Sequence, residues 1–141
     1  MVIKFRGMSI EELANGGKWL YGNLHINYED KLAYIDDVPV HFESVGQYIG
    51  NCDMVDDDLY DGDILEVTNG STDSYKRFLA QIHRHDSSFN LVHPIYVNTI
   101  IAEPVPYFIR NTGKKLGNIH EHKHLITEWK ERIEKENVNR I

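Results

Sequence analysis

Short apolar stretches, closed off every few residues by glycine, proline, asparagine or aspartate, recur along this chain, and that rhythm constrains the fold more than any other feature. Residues 2–6 alternate, with Ile3 and Phe5 on one side and Lys4 and Arg6 on the other. After the breaker Asn15-Gly16-Gly17, residues 19–28 set Leu24, Ile26 and Tyr28 against Asn23, His25 and Asn27, the pattern of a half-buried strand. Residues 32–35, 38–42 and 45–49 repeat it, punctuated by Asp36-Asp37 and Gly46, with Pro39 marking an edge or an end. Further on, residues 64–68, 89–92, 95–101 and 105–109 read as strands, and Asn69-Gly70 as a tight turn. Many short strands at regular spacing predict a mainly β fold, a barrel or a sandwich.

Two segments depart from that rhythm. Residues 75–85 fit both periods, because Tyr75, Phe78, Leu79 and Ile82 fall at helical spacing while Phe78, Ala80 and Ile82 alternate. From His122 onward, Leu125, Ile126, Trp129 and Ile133 form one apolar stripe, and Glu128 with Arg132 and Glu131 with Lys135 are i,i+4 pairs in the favourable order. This is an amphipathic C-terminal helix, packed on its own body or on another subunit. The expected organisation is one domain over 1–141, with a β-rich body at 1–113 and a turn plus helix at 114–141.

A chain of 141 residues can bury roughly 68–70% of the surface that its unfolded form exposes, enough for a core without staples. The single cysteine, Cys52, allows no internal disulfide and no cysteine-based zinc site, which suits a reducing cytoplasm. Apolar runs fall short of a membrane span, and residues 1–19 hold charges but no signal-peptide core, so no membrane partner and a cytoplasmic location are expected. The formal charge of −7 is uneven: residues 114–141 carry a net +2 and residues 1–113 a net −9. Nucleic acid is therefore disfavoured as a partner, since binding without a basic surface lacks its main driving force.

Each string that invites a catalytic or metal-binding reading meets an objection. His120-Glu121-His122-Lys123-His124 satisfies H-E-x-x-H, but in a continuous helix His120 and His124 point away from the Leu125/Trp129 stripe, toward solvent. The extended zinc-protease pattern would also need Gly at Thr127 and His at Lys130. His83 and His85, two apart in a strand, could share a face with His93, a spacing common by chance. Six aspartates crowd the acidic segment 53–63: Asp53, Asp56, Asp57, Asp58, Asp61 and Asp63. A calcium loop anchored on Gly62 would put Leu59 at position three and Thr68 at position twelve, so an acidic turn is the better reading. Asn15-Gly16-Gly17-Lys18 is no phosphate loop, because Trp19 follows the lysine and Glu12 stands where the first glycine belongs. No catalytic, cofactor-binding or metal-binding residue is assigned, no cofactor is expected, and the chain reads as a non-enzyme.

Four local motifs occur in a fixed order: Lys4-Phe5-Arg6, Val45-Gly46-Gln47-Tyr48-Ile49-Gly50, Leu59-Tyr60-Asp61-Gly62-Asp63-Ile64-Leu65, and Leu116-Gly117-Asn118-Ile119-His120-Glu121. Together they resemble the YopX family of phage and prophage proteins, whose pattern runs K-F-R, Q-Y-T-G, E-G-D-I and G-N-I-x-E-N. The resemblance spans nearly the whole chain and implies a barrel-like fold of short antiparallel strands. It also implies that residues 75–85 form a strand pairing with 64–68. This chain departs from the pattern at Ile49, in the acidic run 53–58 where the family is lysine-rich, and at His122-Lys123-His124, where Pro-Glu-Leu-Leu often stands. Asp61-Gly62-Asp63 reads as a turn whose glycine takes a conformation other residues resist, and Asn118 as a cap or Asx-turn residue.

The resemblance implies self-association and no established catalysis. The expected function is that of a noncatalytic phage or prophage accessory protein acting by protein binding or homo-oligomeric assembly, with itself or a host or phage protein as partner. A nucleic-acid-binding module, using Tyr28, Tyr48 and Tyr75 beside Lys76, Arg77 and Arg84, is the alternative. A histidine-dependent metal hydrolase comes third.

Overall fold

Three antiparallel sheets and a C-terminal helix make up the described part of the protein, a computed structural model covering residues 3–10, 18–68, 77–85, 88–96 and 98–139. The mainly β class expected from the strand rhythm is what the chain adopts, and among the described residues the strands form three open sheets rather than one closed barrel. The breaker at 15–17, the Asn69-Gly70 turn, Tyr75 and Lys76 lie outside the described residues. Contacts divide the chain into two compact units, Met1–Asn51 with Asp58–Asp61, and Cys52–Asp57 with Gly62–Ile141.

The first unit holds β1 (Phe5–Met8), β2 (Trp19–Gly22), β3 (Leu24–Asn27), β4 (Leu32–Ile35), β5 (Val38–Val40), β6 (Gly46–Cys52) and β7 (Asp58–Tyr60). They assemble as β2-β1-β6-β7 and β3-β4-β5. The single strand expected over 19–28 is therefore two, β2 and β3, which join different sheets. Asp36 and Asp37 both have positive φ, 46° and 69°. They close the two-residue β4–β5 hairpin, whose right-handed twist calls for that conformation. Pro39 stands on β5 at a sheet edge, where its missing donor costs no ladder bond. Ala33, Ile35 and Val40 form the buried centre, and Phe5, Leu20, Leu24, Ile26 and Val45 pack against it.

The second unit is built on one sheet, β11-β10-β9-β8-β12, formed by β8 (Asp63–Thr68), β9 (Arg77–His85), β10 (Ser88–Val92), β11 (Ile100–Ala102) and β12 (Gly113–Asn118). Residues 77–85 are a strand with Leu65 opposite Ala80 and Val67 opposite Phe78, so the hairpin with β8 implied by the family resemblance is present. In β8, adjacent Ile64 and Leu65 are both fully buried, so this central strand is covered on both faces. Three expectations fail here. Of the strand expected over 95–101, only Ile100 and Ile101 are strand, at the start of β11, and the other described residues form bends and a turn. Residues 105–109 form no strand; Pro104 and Pro106 deny the ladder its donors, and the chain turns into the short helix α1 (Ile109–Thr112). Residues 116–118 are the end of β12 rather than a turn. The helix α2 (Lys123–Asn139) appears where the apolar stripe placed it, and Trp129 rests on the His93 ring with centroids 5.3 Å apart. No described helix is long and apolar enough to cross a membrane.

Candidate functional site

Strand alternation in the first unit sends Phe5 and Gly7 of β1 toward the core and Arg6 to the opposite face, beside Tyr21 of β2. That face is only partly solvated: Tyr21 stays 54% exposed while Arg6 is covered. The Arg6 guanidinium lies 4.8 Å from the centre of the Trp19 ring and 5.0 Å from that of Tyr60, donates to the Asp61 carbonyl at 3.3 Å, and is only 3% exposed. The Lys4 ammonium sits 4.6 Å from the Tyr48 ring centre and donates to the Asp58 carboxylate at 2.7 Å. That hydrogen bond raises the lysine pKa against the opposing pull of burial. Burial raises the Tyr60 pKa, partly offset by the neighbouring Lys4 charge. Cations held against ring faces in low dielectric gain more than at an exposed site. A phosphate would have to break the Lys4–Asp58 pair and uncover Arg6, so this face holds the sheet together instead of presenting charge. Tyr48 belongs to the cluster, whereas Tyr28 stands 78% exposed beyond β3 and Arg84 lies on β9 of the second unit.

The acidic segment also has internal partners. Asp53 is 1% exposed; its Oδ1 accepts the Val55 and Asp57 amides at 3.0 and 2.9 Å, and its Oδ2 accepts the Lys115 amide at 2.8 Å. The Lys115 ammonium stands 3.4 Å from Asp57 and 3.4 Å from fully buried Asp63. A lysine therefore supplies the positive charge that a bound cation would otherwise bring, as the acidic-turn reading requires. Gly62, between Asp61 and Asp63, has φ of 95°, the conformation anticipated for that turn.

The six histidines of the candidate metal-binding strings split into three settings. His120 lies in the turn before α2 while His124 lies within it, so the H-E-x-x-H string does not share one helix. Asn118 organises this corner: its Oδ1 accepts the amides of His120 and Glu121 at 3.0 and 2.9 Å, its own amide donates to His122 Nδ1 at 3.1 Å, and its Nδ2 to Glu121 at 3.2 Å. The Asx-turn role anticipated for Asn118 is thus met, and a side chain at Gly117 would strike the His122 ring. His93 Nδ1 accepts the amides of Ile95 and Tyr96 at 3.2 and 3.1 Å, and its ring packs between Tyr96 and Trp129. His83 and His85 share a face of β9, apart from these partners of His93, and line a small cavity. No group of three or more metal-ligating side chains occurs among the described residues.

Apolar surface remains open in the second unit. A groove of about 470 Å³ is walled by Val67, Phe78 and Leu91 of the sheet, Ile101 of the edge strand β11, and Phe108 and Ile109 of the α1 segment. Ile109 is fully buried, but Phe108 is 59% and Ile101 41% exposed, and Tyr107 is exposed next to Phe108. Sequence reasoning missed this groove because it treated 105–109 as a strand; the two prolines flanking Val105 were the available signal.

No family model matches the chain, and no curated protein matches it. Among solved structures, the crystal structure of protein EF1440 from Enterococcus faecalis is similar to it over 89% of this chain and 99% of that one, with a TM-score of 0.55 and 18% sequence identity. At that identity the likeness shows the fold alone.

Proposed function

We propose that the protein is a noncatalytic accessory protein of phage or prophage origin, related to the YopX family and working in the bacterial cytoplasm, that assembles with further copies of itself through the apolar groove of its second unit. The observation that carries this reading is the groove itself: aromatic and branched side chains stay in water beside an edge strand whose outer backbone groups have no partner strand among the described residues. Contiguous exposed apolar surface of this kind is retained where it serves an interface. The side chains that the sequence offers for chemistry are engaged elsewhere, Asp53, Asn118 and His93 on backbone amides and Lys115 on two carboxylates.

Sedimentation velocity across roughly 1 to 100 µM, the range of weak interfaces, tests the reading. A weight-average mass that climbs with concentration is expected for the wild type, and one that stays monomeric for the double variant Ile101→Asp, Phe108→Asp. A wild type that is monomeric throughout would refute assembly.

A further inference from the structure

The β9–β10 hairpin carries a second feature, independent of the groove. Its register sets His83 opposite Asn90 and His85 opposite Ser88, and residues paired in this way share a face of the sheet. His83, His85, Asn90 and Val92, joined by Asn98 and Ile100 of the following segment, line a cavity of about 170 Å³. That is several times the ~30 Å³ share of one liquid water. Asn90 is fully buried, and its Oδ1 accepts the Ser88 hydroxyl at 3.2 Å, but its Nδ2 has no hydrogen-bond partner among the described residues. A buried donor left unsatisfied opposes folding, and native structures keep few of them.

We propose that this cavity binds a small molecule through a carbonyl or carboxylate oxygen, which takes up the Asn90 Nδ2 donor while the His83 and His85 imidazoles flank it. The ring nitrogens of His83 can meet a further polar edge of such a ligand, and the His85 ring adds to the wall of the cavity. Histidines two apart on a strand also suit a divalent transition metal. A cation, however, cannot satisfy an N–H donor, and the unmatched group here is a donor. The cavity volume limits the ligand to a few heavy atoms, far below a peptide or a nucleotide.

The test follows the Asn90 side-chain amide and the His83 ring by NMR in the full-length protein while acetate, acetamide and zinc chloride are titrated separately. A saturable shift of the Asn90 amide is expected with acetate below about 100 mM, as befits a probe of four heavy atoms. A matching response to acetamide would assign recognition to the oxygen alone, and its absence to the carboxylate. Asn90→Leu, of the same branching and heavy-atom count, and His83→Ala, at a half-buried position, should each weaken binding at least about tenfold, a loss resolved readily in such titrations. The proposal is overturned if neither organic probe saturates, so that the donor meets only a resident water, if both variants bind as the wild type does, or if zinc alone binds.

Discussion

The two units handle their polar and apolar groups in opposite ways. In the first, the cations of a partly exposed face are taken up internally, with Lys4 and Arg6 laid on the rings of Tyr48, Trp19 and Tyr60 and secured by Asp58 and the Asp61 carbonyl. In the second, segment 105–112, where sequence alternation promises a strand ending at residue 109, leaves Phe108 and Ile101 in water around a groove, while the acidic segment is balanced by Lys115. Charge in a sequence is thus a poor guide to exposure when an aromatic ring or an opposite charge can take it up. The proposal of association through the second unit rests on that contrast.

The largest effect is expected at the buried carboxylate of the second unit. Asp53→Ala removes the acceptor for three amides, each bond to a charged group being individually stronger than a neutral one, and should lower unfolding free energy by about 3 kcal/mol in urea titrations. A loss below about 1 kcal/mol would mean that water replaces it, and that the acidic turn is looser than its geometry implies.

Next comes the cation stack of the first unit. Arg6→Met keeps an unbranched chain but removes the cation from the Trp19 and Tyr60 faces, and about 2 kcal/mol should be lost, the value for a desolvated cation–π contact. Arg110, exposed beside Tyr107, provides the contrast: Arg110→Met should leave the urea midpoint where the wild type has it. Equal losses at the two positions would erase the distinction between a closed and an open charged surface.

A smaller, pH-dependent effect belongs to the first unit alone. Folding raises the pKa of both Lys4 and Tyr60, so the folded state holds both protons more tightly than the unfolded one. That stabilisation is complete below the ordinary values of these groups and is lost as the pH climbs from about 10 through the raised ones. Denaturation midpoints measured from pH 8 to 11 should fall at the alkaline end. Tyr60→Phe, which keeps the ring under Lys4 and Arg6, should make that fall shallower, and an unchanged slope would remove Tyr60 from the account.

Much of the fold was legible in the sequence because it rests on local signals. Alternation found β4, β8 and β10, Asp36-Asp37 marked a break between strands, Gly62 a turn, and the Leu125/Trp129 stripe the helix. The ambiguous period over 75–85 was settled by pairing with β8, a long-range contact that periodicity cannot see. The site was far less legible. Alternation placed Arg6 on the outer face but could not show Trp19 and Tyr60 converging on it, since Tyr60 arrives from more than fifty residues away. Apolar residues 105–109 looked like core for the same reason that any short apolar run does, and only the three-dimensional path after Pro106 leaves Phe108 outside.

A concentration series of amide NMR spectra tests most directly whether the second unit is the associating one. Between roughly 10 and 500 µM, spanning weak-interface dissociation constants, shifts and broadening should gather at Ile101, Phe108 and their neighbours, while Arg6, Tyr48 and Tyr60 stay fixed. Changes centred on the Lys4–Tyr60 face, with the groove unaffected, would contradict the account.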